Sequence, residues 1–142
     1  MDGNNNCGGE ISQFYAEKCI FITGATGFCG KVLLHKLLDS CPMVEKIYVL
    51  IRPKRGEMPQ VRLTNLFNGP MFKRLKEENP LSFNKVLAIN GDISLPGLGM
   101  SSEDINTVIE NVSVIFHSAA TVRFDEELCK YVFDLSAYLF FK

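Results

Sequence analysis

Eight consecutive residues, Thr23-Gly24-Ala25-Thr26-Gly27-Phe28-Cys29-Gly30, repeat glycine at every third position. A short apolar run, Cys19-Ile20-Phe21-Ile22, leads into them, and a helical pattern of apolar residues follows. Strand, glycine turn and helix in that order make a dinucleotide-binding fingerprint. One glycine permits the tight turn, one lets backbone approach a pyrophosphate, and one lets the helix pack close to the strand. The helix N-terminus adds free N–H groups and a positive dipole end. A glycine turn without a ligand is the plain alternative, and the strand–turn–helix context weighs against it. Gly30-Lys31 also looks like the GK pair of an ATP- or GTP-binding P-loop. That motif needs glycine where Ala25 stands and a hydroxyl where Val32 stands, so it is rejected.

Further chemistry belongs at the ends of the other strands. Arg52 directly follows the apolar run Lys46-Ile47-Tyr48-Val49-Leu50-Ile51, with Lys54 and Arg55 close behind. NAD-binding versions of this fold place an acid in this region for the ribose 2′-hydroxyl. An acid would repel a 2′-phosphate, whereas a guanidinium grips it bidentately, so Arg52 argues for NADP(H). Lys54 and Arg55 also read as ordinary surface charges. Gly91-Asp92-Ile93 follows the next strand; its carboxylate either accepts a hydrogen bond from an adenine amino group or simply makes a turn. His117-Ser118-Ala119-Ala120-Thr121 follows the last strand, where small alanines let a bulky dinucleotide lie against backbone. His117 itself reads as a satisfied core histidine. No spacing suits a metal or a Ser/His/Asp arrangement.

The elements that must hold these residues follow from periodicity. Apolar positions 34, 37 and 38 share one face of a helix over 31–40, which Pro42 stops. A helical stretch over 60–78 is interrupted at Asn68-Gly69-Pro70, and a third strand covers 85–89. Ser101, with Asp104 three residues on, caps a helix to Asn111. A fourth strand covers 112–116, and a further helix 124–133. Strands separated by helices pair in parallel through right-handed crossovers. Near-continuous apolar strands imply cover on both sheet faces. The expected class is α/β, a Rossmann-like doubly wound parallel sheet of about four strands.

Composition agrees with one folded domain. The 142 residues are 46% hydrophobic and carry 15 Lys and Arg against 16 Asp and Glu. That near-neutral balance argues against nucleic acid or an anionic membrane as a partner. Five cysteines, at 7, 19, 29, 41 and 129, form no CxxC, which excludes a disulfide framework or zinc site. Most sit among apolar or helical neighbours and are expected to pack as small hydrophobes in a reducing compartment. No apolar run nears the roughly 18 residues of a bilayer span. Residues 1–14 read as a flexible tail without a secretory leader, 15–133 as the domain, and 134–142 as an atypical apolar tail.

Four segments together, TGATGFCG, YVLIRPKRG over 48–56, GDI over 91–93 and HSAATVRFDE over 117–126, carry a family resemblance. From about Tyr15 to about Phe133 the chain resembles the fatty acyl-CoA reductases of the male-sterility type, among the extended short-chain dehydrogenases. The resemblance implies NADPH-dependent reduction of a long-chain fatty acyl-CoA to a fatty alcohol through an aldehyde. It carries cofactor contacts onto Gly24, Ala25, Thr26, Gly27, Phe28 and Gly30, and the 2′-phosphate onto Arg52. Asp92 and Ile93 would border adenine, and Ala119 and Ala120 the ribose and diphosphate. It also implies an intracellular protein on endoplasmic reticulum or peroxisome membranes.

The family's catalytic pair is a Tyr with a Lys four positions on. Tyr138 and Lys142 match that spacing but read as a chance pair. The 17 residues of 121–137 cannot supply the helix, strand and loops that precede the family's tyrosine. No catalytic residue is therefore assigned, and the ending looks like that of a truncated product. The surviving sheet should run 3-2-1-4 with the outer edge of its fourth strand open, inviting another chain and leaving stability marginal. Two alternatives stand beside the reductase: a non-catalytic nucleotide-binding or regulatory fragment that pairs through this edge, and another extended dehydrogenase such as an epimerase or carboxylic acid reductase domain.

Overall fold

A computed structural model describes residues 9–54 and 56–119. Its elements are α1 (Glu10–Phe14), β1 (Cys19–Thr23), α2 (Phe28–Ser40), β2 (Lys46–Ile51), α3 (Pro59–Phe67), α4 (Lys73–Glu78), β3 (Val86–Asn90), α5 (Ser102–Asn111) and β4 (Val112–His117). Short 3-10 turns occupy Pro70–Phe72, Pro80–Lys85 and Pro96–Gly99. All neighbouring strands pair in parallel in the order β3-β2-β1-β4, as expected. The helix expected over 124–133 lies outside the described residues.

The chain steps outward from β1 to β2 to β3, then returns to the other side of β1. The crossovers put α2, α3 and α4 on one face and α5 on the other. Side-chain alternation separates two cores accordingly. Ile20 and Ile22 of β1, with Ile47, Val49 and Ile51 of β2, meet Leu34, Leu37, Leu38, Leu63 and Leu75 from the helices. Cys19, Phe21, Tyr48 and Leu50 face the opposite way, towards Val108 of α5 and Leu98. Phe67, Phe72 and Phe83 lock the insertion before β3, with edge-on rings 4.6–6.1 Å apart. The Ser101 cap is formed: its hydroxyl accepts from Asp104 N at 3.1 Å and donates to Asp104 Oδ2 at 2.8 Å.

Among the described residues, cover on both faces holds for β1 and β2 but is incomplete for the flanking strands. Leu87 of β3 is 41% exposed and Ile115 of β4 is 38% exposed. Both pair in register with residues of the α5 face, Tyr48 and Phe21. A helix about 10 Å wide spans only two strands spaced about 4.8 Å apart. The described cysteines divide. Cys19 and Cys41 are buried, and burial pushes both thiols up. Cys29, in the first turn of α2, is exposed. Cys7 and Cys129 lie outside the described residues. Among the described residues no helix is long and apolar enough to cross a membrane.

Candidate functional site

The C-terminal ends of all four strands meet at one edge of the sheet, with the reversal of strand order between β1 and β4. Ligands of doubly wound sheets bind at such a reversal. The chain leaves β1 at Thr23 and turns on Gly24, whose φ of +74° lies in the left-handed region. A Cβ on Gly24 would stand 2.7 Å from Ala119 Cα, so only glycine passes beneath the β4 loop. Gly27 N donates to Gly24 O at 3.0 Å, closing the turn. A Cβ on Gly30 would collide with that same carbonyl and stand 2.7 Å from Ala25 Cα, so Gly30 seats α2 on the turn.

Gly27 differs. It is exposed, and a Cβ there would meet only Gly24 O, at 3.3 Å. It is the N-cap of α2, a helix with no side-chain cap and no acidic residue in its first turn. The leading N–H groups of a helix have no partner within it, and residues 27–29 are exposed at this end. Two glycines therefore serve the backbone and one leaves room for a ligand, which fits a diphosphate lying on the helix end. Ala25 is fully buried in the larger core. Thr26 is half-buried, and Phe28 is exposed beside Gly27.

The β1 and β4 ends are tied by Thr23, a buried residue that sequence reasoning did not single out. Its Oγ1 lies 2.7 Å from His117 Nδ1. Its carbonyl accepts from Ser118 N at 3.2 Å and Ser118 Oγ at 2.8 Å. His117 thus has a structural partner, as the core-histidine reading expected. The backbone of Ala119 abuts Gly24, while Ala120 lies outside the described residues. So do Arg55 and the Tyr138/Lys142 pair.

Arg52 and Asp92 come together from the ends of β2 and β3. Arg52 Nη1 stands 3.8 Å from Asp92 Oδ2, on an arginine whose side chain is 63% exposed. Arg62 of α3 donates to the Arg52 carbonyl. Asp92 Oδ1 accepts from Ser94 N at 3.0 Å and Ser94 Oγ at 2.7 Å, so the carboxylate does make a turn. Partial burial alone would raise the Asp92 carboxyl. The two Ser94 donors and the Arg52 guanidinium outweigh it and hold the group below its ordinary value. Ile93 packs against the smaller core. Beneath Asp92, a Cβ on Gly91 would collide with the Leu98 backbone carbonyl, which makes this third glycine position obligatory. Lys54 is exposed in a tight loop closed by Glu57 N donating to its carbonyl at 3.0 Å.

A cavity of about 220 Å³ lined by Leu38, Cys41, Val44 and Ser82 lies at the opposite edge of the sheet, before β2 and β3, and is not part of this site. Among the described residues no group of three or more His, Cys, Asp or Glu could hold a metal ion.

Comparison with known proteins agrees with the geometry. The chain is 50% identical over 119 residues to fatty acyl-CoA reductase 1 of Pongo abelii, covering 84% of this chain and 23% of that protein. It is 48% identical over 118 residues to the Drosophila melanogaster fatty acyl-CoA reductase wat, again 23% of the relative. The chain thus spans about a quarter of the length of these curated relatives. Among solved structures, the reductase domain of a non-ribosomal peptide synthetase from Mycobacterium tuberculosis superposes with a TM-score of 0.69 at 26% identity, covering 87% of this chain and 30% of that one. The PhqB reductase domain of Penicillium fellutanum gives 0.61 at 29% identity, covering 89% and 35%. A model of an NAD-binding family, described as male sterility protein, matches residues 22–133. The ligand class of this domain is accordingly a nicotinamide dinucleotide, and the chain belongs to the male sterility protein family.

Proposed function

We propose that this chain forms the NADPH-binding part of a fatty acyl-CoA reductase that converts long-chain acyl-CoA to fatty alcohol. The observation that carries the reading is the glycine turn: Gly24 and Gly30 are closed against backbone while Gly27 is left open at an uncapped helix end. The substrate class rests on relatives about 50% identical that are named fatty acyl-CoA reductases. NADPH rather than NADH rests on Arg52, a cation at the end of β2 where an acid would hold an unphosphorylated ribose.

In this reading the N–H groups at 28–30 bind the diphosphate across the open Gly27, Thr26 and Phe28 flank it, and Ala119 and Ala120 border the ribose side. Arg52 donates to the 2′-phosphate, and Asp92 and Ile93 border adenine. When bound, the dihydronicotinamide supplies hydride, two equivalents for each acyl-CoA taken through aldehyde to alcohol. Titration of the purified chain with NADPH and NADH, read by nicotinamide fluorescence, tests the cofactor half. A charged hydrogen-bond pair of about 1.5–3 kcal/mol corresponds to roughly 10- to 100-fold tighter NADPH binding. Equal affinities would defeat the Arg52 assignment. Incubation with palmitoyl-CoA and NADPH, read as alcohol formed, tests the activity. Product that disappears in Tyr138→Phe would show that the Tyr138/Lys142 pair is catalytic after all.

A further inference from the structure

The end of β3 holds more order than an adenine-facing carboxylate needs. The Asp92 backbone N–H donates to Leu98 O at 2.7 Å. Leu98 is itself buried, with a left-handed φ of +56° between two left-handed glycines, Gly97 and Gly99. Ser94 then takes Asp92 Oδ1 with both its amide and its hydroxyl. With one oxygen fixed, the other is presented to Arg52 at 3.8 Å. Among the described residues Arg52 has no other ion-pair partner. Its side chain is otherwise a long, exposed rotor with about 2 kcal/mol of rotamer entropy to lose.

We propose that Ser94 and Asp92 act as a positioning relay for Arg52 and so set discrimination between phosphorylated and unphosphorylated cofactor. The inference rests on the reading of Arg52 as the 2′-phosphate ligand and adds the residues that aim it. The contact suits the task. At 3.8 Å it tethers one Nη without using up the fork, and a guanidinium carries five donors, so most remain for an incoming phosphate. The Ser94 donors spread the carboxylate charge, which limits its repulsion of that phosphate. With an unphosphorylated cofactor Arg52 simply stays on Asp92. The relay therefore acts on the ratio of the two affinities, while any adenine contact of Asp92 acts on both alike and cancels from it.

The test is the NADPH-to-NADH affinity ratio of the purified chain, measured for Arg52→Ala, Asp92→Asn, Ser94→Ala, Ser94→Thr and the Arg52→Ala/Asp92→Asn double variant. Arg52→Ala should collapse the ratio towards one. Asp92→Asn should lower it roughly two- to fivefold, the worth of an exposed ion pair. Ser94→Ala should lower it less, Ser94→Thr should restore it, and the double variant should match Arg52→Ala, because the relay works only through that arginine. If Arg52→Ala collapses the ratio while Asp92→Asn and Ser94→Ala leave it unchanged or raise it, the relay is overturned and the Arg52 assignment survives. If Arg52→Ala leaves the ratio unchanged, both fail. Loss of folding in Asp92→Asn leaves the two Ser94 variants to decide.

Discussion

The loop after β1 and the paired loops after β2 and β3 face the same edge of the sheet but are made differently. The first is backbone against backbone. Gly24 passes under Ala119, Gly30 sits on the Gly24 carbonyl, and Thr23 ties the strand ends together. The second is side chain against side chain near the surface, with Arg52 mostly exposed and Asp92 about a quarter exposed. The difference teaches where each property of the site resides. In the proposed reading, grip on the common diphosphate is part of folding, whereas choice between cofactors rests on groups that can change without disturbing the core.

The contrast can be broken hardest at the closed glycines. Gly24→Ala or Gly30→Ala should cost more than about 3 kcal/mol, because the added Cβ overlaps backbone that cannot move aside. Thermal denaturation should then show no cooperative transition, and a melting point within a few degrees of wild type would refute the closed geometry. Gly27→Asp should separate the two properties in one residue. Its Cβ meets only one atom at 3.3 Å, so the fold should persist, but a carboxylate at the helix end should abolish the NADPH fluorescence change. Arg52→Ala comes next, with NADPH affinity reduced roughly 10- to 100-fold, and NADH affinity and melting point unchanged within error.

The smallest effect is on acid stability. Asp92 has a carboxyl below its ordinary value of 3.8 in the fold. Its stabilising contribution is therefore full above that value and is lost as pH falls through the lower, folded value. Asp92→Asn should flatten the acid limb of a urea-denaturation series against pH by a fraction of the wild-type slope. An unchanged slope would mean that the Ser94 and Arg52 contacts do not persist in solution.

How much of this could be read from the residues follows the same division. Ile20, Ile22, Ile47 and Val49 announced central strands because runs of branched apolar residues have little other use, and strand order followed from alternation with helices. The glycine turn was legible because its demands are met by residue type alone. The start of α2 at Phe28, three residues before the expected 31, was not, since Gly27 caps it without a side chain and leaves no Ser, Thr or Asp signal. Left-handed Leu98 was equally silent, because leucine seldom takes that conformation. The Arg52–Asp92 pair joins residues forty apart, brought together only by the register of Ile51 with Asn90. The exposure of Leu87 and Ile115 depends on how far one helix reaches, which no local pattern encodes.

The bonds from Thr23 to His117 and Ser118 have a kinetic consequence. They join β1 to β4 across the crevice floor without calling on any ligand atom, so the gap has its width before a dinucleotide arrives. Capture should then follow simple one-step kinetics, with an observed rate rising linearly with cofactor concentration and no plateau from a slow reshaping step. Thr23→Val, which keeps the bulk and both Ser118 bonds but removes the hydroxyl that meets His117, should introduce that plateau if the His117 bond sets the width.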